Sequence, residues 1–197
     1  MRGLESASVC TSSDDSRTLV TIAHAPLEQV TPEMLAWWYT HVSGTMSYAG
    51  RTWPRYLVWH PLDHIAYDVT SPGEVSAGTR LHVTEALGRD PEMLLDLHLT
   101  VETVDDEAAI FTKRVLGSSV VRLVYEFTAI RAGCQYTTHL TIGDTKPLGQ
   151  LFLNSHAHRK LFPPAKLAAW IRHHVEEIGN LENFLPDLFT YRAPHEP

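Results

Sequence analysis

The chain has 197 residues, 44% of them hydrophobic and 20% charged, with a formal net charge of -7. That length suits one domain with a substantial core, and the composition is that of a globular protein rather than a disordered one. No stretch reaches the roughly 20 apolar residues of a spanning helix, and an acidic balance without a basic cluster argues against membrane and nucleic-acid partners alike.

Residues 1–16 are rich in Ser, Thr and Asp and lack an apolar signal core, so they read as a flexible start of a cytoplasmic protein. Cys10 in that tail and Cys134 make no disulfide framework. A single domain is expected over 17–190, with a C-terminal tail over 191–197. Arg17 to His24 alternates as a first strand. Thr31-Pro32-Glu33 then opens a helix, with Thr31 as N-cap and Pro32 in the first turn. It carries Trp37 and Trp38, which cannot both face one narrow stripe, so the helix is expected to cover a pocket as well as a core.

Trp53 to His64 contains Pro54 and His60-Pro61, which break regular structure and predict an irregular, partly extended segment. His60 reads either as an inward polar group or as a histidine packed between Trp59 and Pro61. His64, opening an apolar strand after Asp63, is the better candidate ligand, and Asp63 is suited to orient a neighbouring imidazole. Thr79 to Leu87 alternates so that Arg80, His82 and Thr84 face one way and Leu81, Val83 and Glu85 the other. An unpaired carboxylate on that apolar face is costly. Either a bulge turns Glu85 to solvent, or a cation compensates it. Strands over 93–103, 108–116, 119–130 and 135–142, joined by Asp105-Asp106-Glu107 and Arg131-Ala132-Gly133, extend an antiparallel meander. His98 and His139 read as surface or packing residues, and His156 and His158 as exposed.

Pro163-Pro164 opens a long helix expected to run from Ala165 to about Phe184 and to close at Leu185-Pro186. Leu167, Ile171, Val175, Ile178, Leu181 and Leu185 make its buried stripe. Helical spacing lets Glu177 stand beside either His173 or His174, which is half a metal site; the same spacing is common on solvated faces. An antiparallel sheet wrapped round one long C-terminal helix, with a cavity between, is an α+β grip architecture. No Gly-rich phosphate loop or nucleophile elbow appears.

Taken together, Trp37-Trp38, the run Tyr56-x-x-Trp59-His60-Pro61-x-Asp63-His64, Gly78 followed seven residues later by Glu85, and His173-x-x-Glu176-Glu177-x-Gly179-Asn180 followed by Phe184-Leu185-Pro186 resemble the 2,4-diacetylphloroglucinol and phloretin hydrolase family from about Glu33 to Leu188. The resemblance implies a Bet v 1-like helix-grip fold, a curved antiparallel sheet around a long C-terminal helix. It also implies a zinc centre, with Fe2+ or another divalent ion as alternatives, held by His64, Glu85, His173 and Glu177. The implied reaction cleaves a carbon–carbon bond in a small aromatic or polyketide-like substrate, and the implied assembly is a homodimer. Tyr56 matches a pocket tyrosine and is the expected proton donor, with His60 second; Trp38, Tyr67 and Tyr125 are the expected pocket residues. The chain departs from the family where Tyr125 stands near a pocket histidine, Leu140 near a second pocket tyrosine and Tyr67 near an asparagine. A polyketide cyclase or lyase, or a metal-free carrier of hydrophobic ligands on the same scaffold, are the alternatives.

Overall fold

The computed structural model describes residues 1–14, 16–147 and 149–192. Eleven strands form two antiparallel sheets among these residues. They are β1 Ala7–Ser13, β2 Thr18–His24, β3 Leu27–Glu28, β4 Thr45–Tyr48, β5 Arg51–Pro54, β6 His64–Val69, β7 Arg80–Ala86, β8 Leu94–Val104, β9 Ala108–Val115, β10 Ser118–Ile130 and β11 Gly133–Ile142. The large sheet runs β1-β2-β11-β10-β9-β8-β7-β6, with β3 beside β11, and β4–β5 is a separate hairpin. Helices α1 Pro32–His41 and α2 Arg55–Trp59 fall between β3 and β6. After β11 come a π-helical segment interrupted by the short α3 Asn154–His156, then α4 Pro164–Ile178 and α5 Leu185–Thr190. Among the described residues no helix is long and apolar enough to cross a membrane.

The alternation that predicts strands also sets the core. Along β7, β11 and β8 as far as Val101 every second residue is buried, so one face of the sheet supplies Leu81, Val83, Leu95, Leu97, Tyr136 and Leu140. Residues of α4 close the same space from the other side.

Several expectations change. Ala7–Ser13 is not a flexible start: it pairs with β2 along its whole length, Ala7 opposite His24 and Ser13 opposite Thr18. Its side chains are nearly all exposed, so it carries no apolar alternation to reveal it. The segment after Pro54 is helical rather than extended, because Pro54 occupies the N-cap of α2 and a proline at a helix start sacrifices no hydrogen bond. The long helix ends at Ile178, with Gly179 as its cap. Leu185-Pro186 opens α5 instead of closing α4, Pro186 sitting in its first turn. Of the expected tail 191–197, residues 193–197 lie outside the described residues.

Candidate metal centre

The centre is assembled by a strand register and a helix. In the β6–β7 pairing His64 lies opposite Glu85, with a bulge between His64 and Ala66; such a bulge re-aims a side chain at the strand's start. Glu85 therefore faces inward with Leu81 and Val83, buried rather than turned to solvent. One turn apart on α4, His173 and Glu177 are both buried and point to the same place. His64 Nε2 lies 3.3 Å from Glu177 Oε2 and 4.0 Å from Glu85 Oε1. His173 Nε2 lies 3.8 Å from Glu85 Oε2 and 3.7 Å from Glu177 Oε2. Around a tetrahedral zinc, bonds of about 2.0–2.2 Å place ligand atoms about 3.3–3.6 Å apart; one atom each of His64, His173 and Glu177 lies within 4.8 Å of the others, and Glu85 flanks the two histidines through different oxygens.

Hydrogen bonds on the far side of each ring decide which nitrogen is free. His64 Nδ1–H donates to Tyr56 O at 2.7 Å, and His173 Nδ1–H donates to Asp63 Oδ2 at 3.0 Å. Each therefore turns Nε2 inward, and both Nε2 atoms are buried without a hydrogen-bond partner. Two fixed imidazole nitrogens facing two carboxylates fit a divalent cation. His174 is differently placed: its Nδ1–H reaches Trp170 O at 3.3 Å and its Nε2 accepts from the Tyr125 hydroxyl at 2.9 Å. It also approaches Glu177 Oε1 at 3.3 Å. Of the two neighbours, His173 is the one whose inward nitrogen is unclaimed.

Support comes from around the centre. Asp63 Oδ2 also accepts from Gly88 N–H at 3.0 Å, in a turn where Gly88 takes the positive φ of 66° that glycine tolerates. Burial alone would raise the Asp63 carboxyl, but the His173 and Gly88 hydrogen bonds hold it lowered. Trp59 Nε1–H donates to Glu177 O at 2.9 Å and Asn180 Nδ2 to Trp59 O at 2.8 Å, which ties α2 to the end of α4.

The electrostatics follow from crowding two acids and several imidazoles out of water. Burial would push His173 down, yet Glu85, Asp63 and Glu177 outweigh it and raise its pKa to about 9. Burial raises Glu177 to about 8 against the pull of His173. Burial and the charge of His173 drive His64 well below its usual value. Shifts of this kind arise where acids and imidazoles are crowded together out of water, each group's proton affinity set by the others.

Beside the centre is a cavity of about 60 Å³ whose walls include Tyr39, Tyr56, Tyr67, Leu97, Phe111 and Tyr125. Glu85, His174 and Glu177 reach it as well. Room for a few waters is less than an aromatic ring needs. An outer cleft of about 230 Å³ shares Tyr56 and Tyr67 with it as a common wall. Tyr67 Oη is buried without a hydrogen-bond partner.

Of the expected residues, His64, Glu85, His173 and Glu177 converge, and Tyr56 joins them. Its hydroxyl donates to Glu85 Oε1 at 2.7 Å and its ring stacks on His64 at 3.7 Å. Burial and Glu85 keep that hydroxyl protonated. Tyr67 and Tyr125 line the cavity as expected pocket residues. Trp38 does not: it packs edge-on against Trp59 and beside Phe184, one layer behind. Tyr39, the next residue on α1, takes that place; helical spacing from Leu35 puts Trp38 and Tyr39 on one face and does not choose between them. His60 is also behind the centre, absent from the cavity wall. Its Nδ1 accepts from Asp63 N at 3.2 Å, its Nε2 faces Glu176 Oε2 at 3.3 Å, and burial with nearby His173 lowers its pKa to about 4. Trp170, Phe111 and Leu123 on the cavity wall went unrecognised because apolar residues on strands and helices look alike whether they line a core or a pocket.

Comparison with known proteins gives both family and fold. Residues 12–190 match the sequence profile described as the DAPG hydrolase PhiG domain. No curated protein matches the chain in sequence. Among solved structures, the KanY protein is 14% identical with a TM-score of 0.52, covering 90% of this chain and 98% of its own. A conserved protein of unknown function from Enterococcus faecalis is 7% identical with a TM-score of 0.51, over 92% of this chain and 90% of its own. A protein from Nitrosomonas europaea is 13% identical with a TM-score of 0.51, over 91% of this chain and 100% of its own. At these identities the likeness is one of fold: mixed α+β, with a large antiparallel sheet and a C-terminal helix.

Proposed function

The chain belongs to the DAPG hydrolase PhiG domain family, and from that premise we propose that it is a metal-dependent hydrolase cleaving the carbon–carbon bond between an acyl group and a phenol ring or polyketide-like β-diketone. The observation that carries this reading is the pair of orphaned Nε2 atoms, on His64 and His173, facing Glu85 and Glu177. These four residues would hold the ion; the mixed nitrogen and oxygen donors suit zinc first, with Fe2+ or another divalent ion next. Bound there, such an ion supplies Lewis acidity toward an acyl carbonyl and lowers the pKa of a water.

The chain's own groups do the rest. Hydrolysis places a hydroxyl on the acyl carbon and a proton on the ring carbon that leaves, so a proton donor must stand at the cavity wall. Tyr56 is that donor in this proposal, since its hydroxyl borders the cavity and is held protonated. His60 is not retained in the role, because it stands outside the cavity. Tyr125, which donates its proton to His174, is suited to accept a hydrogen bond from a substrate hydroxyl, and Leu97, Phe111 and Leu123 give the space an apolar wall that excludes water. The α4–sheet pairing around this space is read as a Bet v 1-like helix grip.

Elemental analysis combined with product mass spectrometry tests the proposal. A stoichiometric divalent metal and two products that together carry one added water support it. Glu177→Ala should lose metal and turnover together; full activity in that variant overturns it. Products without added water would move the assignment to a cyclase, and a protein that stays metal-free after supplementation would move it to a carrier.

A further inference from the structure

On the outward face of the large sheet, β7 and β8 carry a second group of donors that the inner centre does not use. His82 lies directly opposite His98 in the β7–β8 register, and Thr84 opposite Asp96. The two imidazole rings stack with centroids 4.3 Å apart and planes 11° from parallel. His82 Nε2 is 3.1 Å from Asp96 Oδ1. One ligand atom from each of His82, Asp96 and His98 falls within 4.8 Å of the others. Asp68 on β6 lies opposite His82 in the neighbouring register, so Asp68, His82 and His98 form one row across three strands.

We propose that His82, Asp96 and His98 form a second binding site, for a borderline divalent transition-metal ion such as Zn2+ or Cu2+. Imidazole and carboxylate are the donor types such ions prefer, and three protein ligands leave a position for water. The backbone ladder fixes the relative positions of the donors, so little conformational freedom is lost on binding. Packing gives a weaker account of the pair. On a solvent face two histidines opposite each other bury little apolar area and repel once both are protonated. The site is separate from the inner centre: on the same strands Leu81, Val83 and Glu85 of β7 and Leu95, Leu97 and Leu99 of β8 face the cavity, while these three face water.

The test is a titration of the full chain, carrying no polyhistidine tag, with Zn2+ and in parallel with Cu2+. Wild type should bind two equivalents. His98→Ala and His82→Asn should bind one, or bind the second at least tenfold more weakly, tenfold being the smallest effect expected even from groups that only support a ligand. The Cu2+ spectrum of Glu177→Gln should still show nitrogen hyperfine coupling, and adding His98→Ala in that same background should weaken it. His98→Ala and His82→Asn alter exposed or half-exposed side chains, and circular dichroism checks that they fold. The inference is overturned if His98→Ala and His82→Asn bind as much metal as wild type, or if wild type binds one equivalent that only Glu177→Gln removes. A single equivalent lost in His98→Ala but kept in Glu177→Gln would instead support the outer site and count against the inner one.

Discussion

Raising the pH from 7 to above 9 should strengthen metal binding at the inner centre by up to roughly a thousandfold. His173 and Glu177 hold protons at neutral pH, with pKa values raised to about 9 and about 8, and both must surrender them before they can ligate. At pH 7 the first costs about two log units and the second about one, near 4 kcal/mol in all at 1.36 kcal/mol per unit. Each group's charge favours ionisation of the other, so the protons leave the cluster rather than either residue alone, and the thousandfold figure is the ceiling. His64, held neutral, adds nothing. Chelator competition from pH 6.5 to 9.5 measures the affinity. Calorimetry in buffers of different ionisation enthalpy counts protons released, expected near two at pH 7 and falling toward zero above pH 9. Metal-free stability runs the other way. Both groups have raised pKa values, so the stability that Glu177 contributes is present below its ordinary value near 4.5 and lost through about 8, and that of His173 is lost between about 6.5 and 9. The melting-temperature gain on adding metal should therefore grow with pH. Affinity that stays flat from pH 7 to 9, with no protons released, would refute the reasoning.

Asp63→Asn removes the acceptor charge behind His173 and should weaken metal binding 10- to 100-fold, about 1.4–2.7 kcal/mol; dialysis against a metal buffer reads this directly. Tyr56→Phe should keep the metal, by elemental analysis, while kcat falls roughly 10²- to 10⁴-fold for loss of a general acid; an unchanged kcat would remove Tyr56 from that role. Tyr67→Ala should join the 60 Å³ cavity to the 230 Å³ cleft, a combined space near the low end of ligand pockets at about 300 Å³. Its KM for bulkier acyl substrates should fall relative to Tyr67→Phe, and equal KM values would show that the wall does not limit entry. Trp59→Phe loses the hydrogen bond to Glu177 O and should cost about 1 kcal/mol in denaturant unfolding.

Much of the inner face was legible from alternation alone. Glu85 could be placed among Leu81 and Val83 because β7 keeps a strict two-residue period. Its partner could not be paired with it from the pattern, because the bulge after His64 sets that register. The choice between His173 and His174 escapes helical spacing for a different reason. Both rings are buried, and what separates them is that Asp63 holds the outer nitrogen of His173 while Tyr125 claims the Nε2 of His174, contacts between residues far apart in the chain. Helix ends were misplaced where an apolar stripe crosses a break. Leu181 and Leu185 continue the spacing of α4, although Gly179 has already ended it.

The strand that opens the large sheet bears on how the chain can be handled. A chain shortened to begin at residue 17, as the Ser-rich start invites, would lose β1 and leave β2 as the sheet's outermost strand. β1 shows water a polar, largely Ser and Thr surface. β2 carries Leu19, Val20 and Ile22, with Val20 and Ile22 in the core. Its bare amide and carbonyl groups, next to those apolar side chains, would invite strand-to-strand association between molecules. The first thirteen residues thus act as a cover strip, and trimming them would trade a soluble flank for an adhesive one.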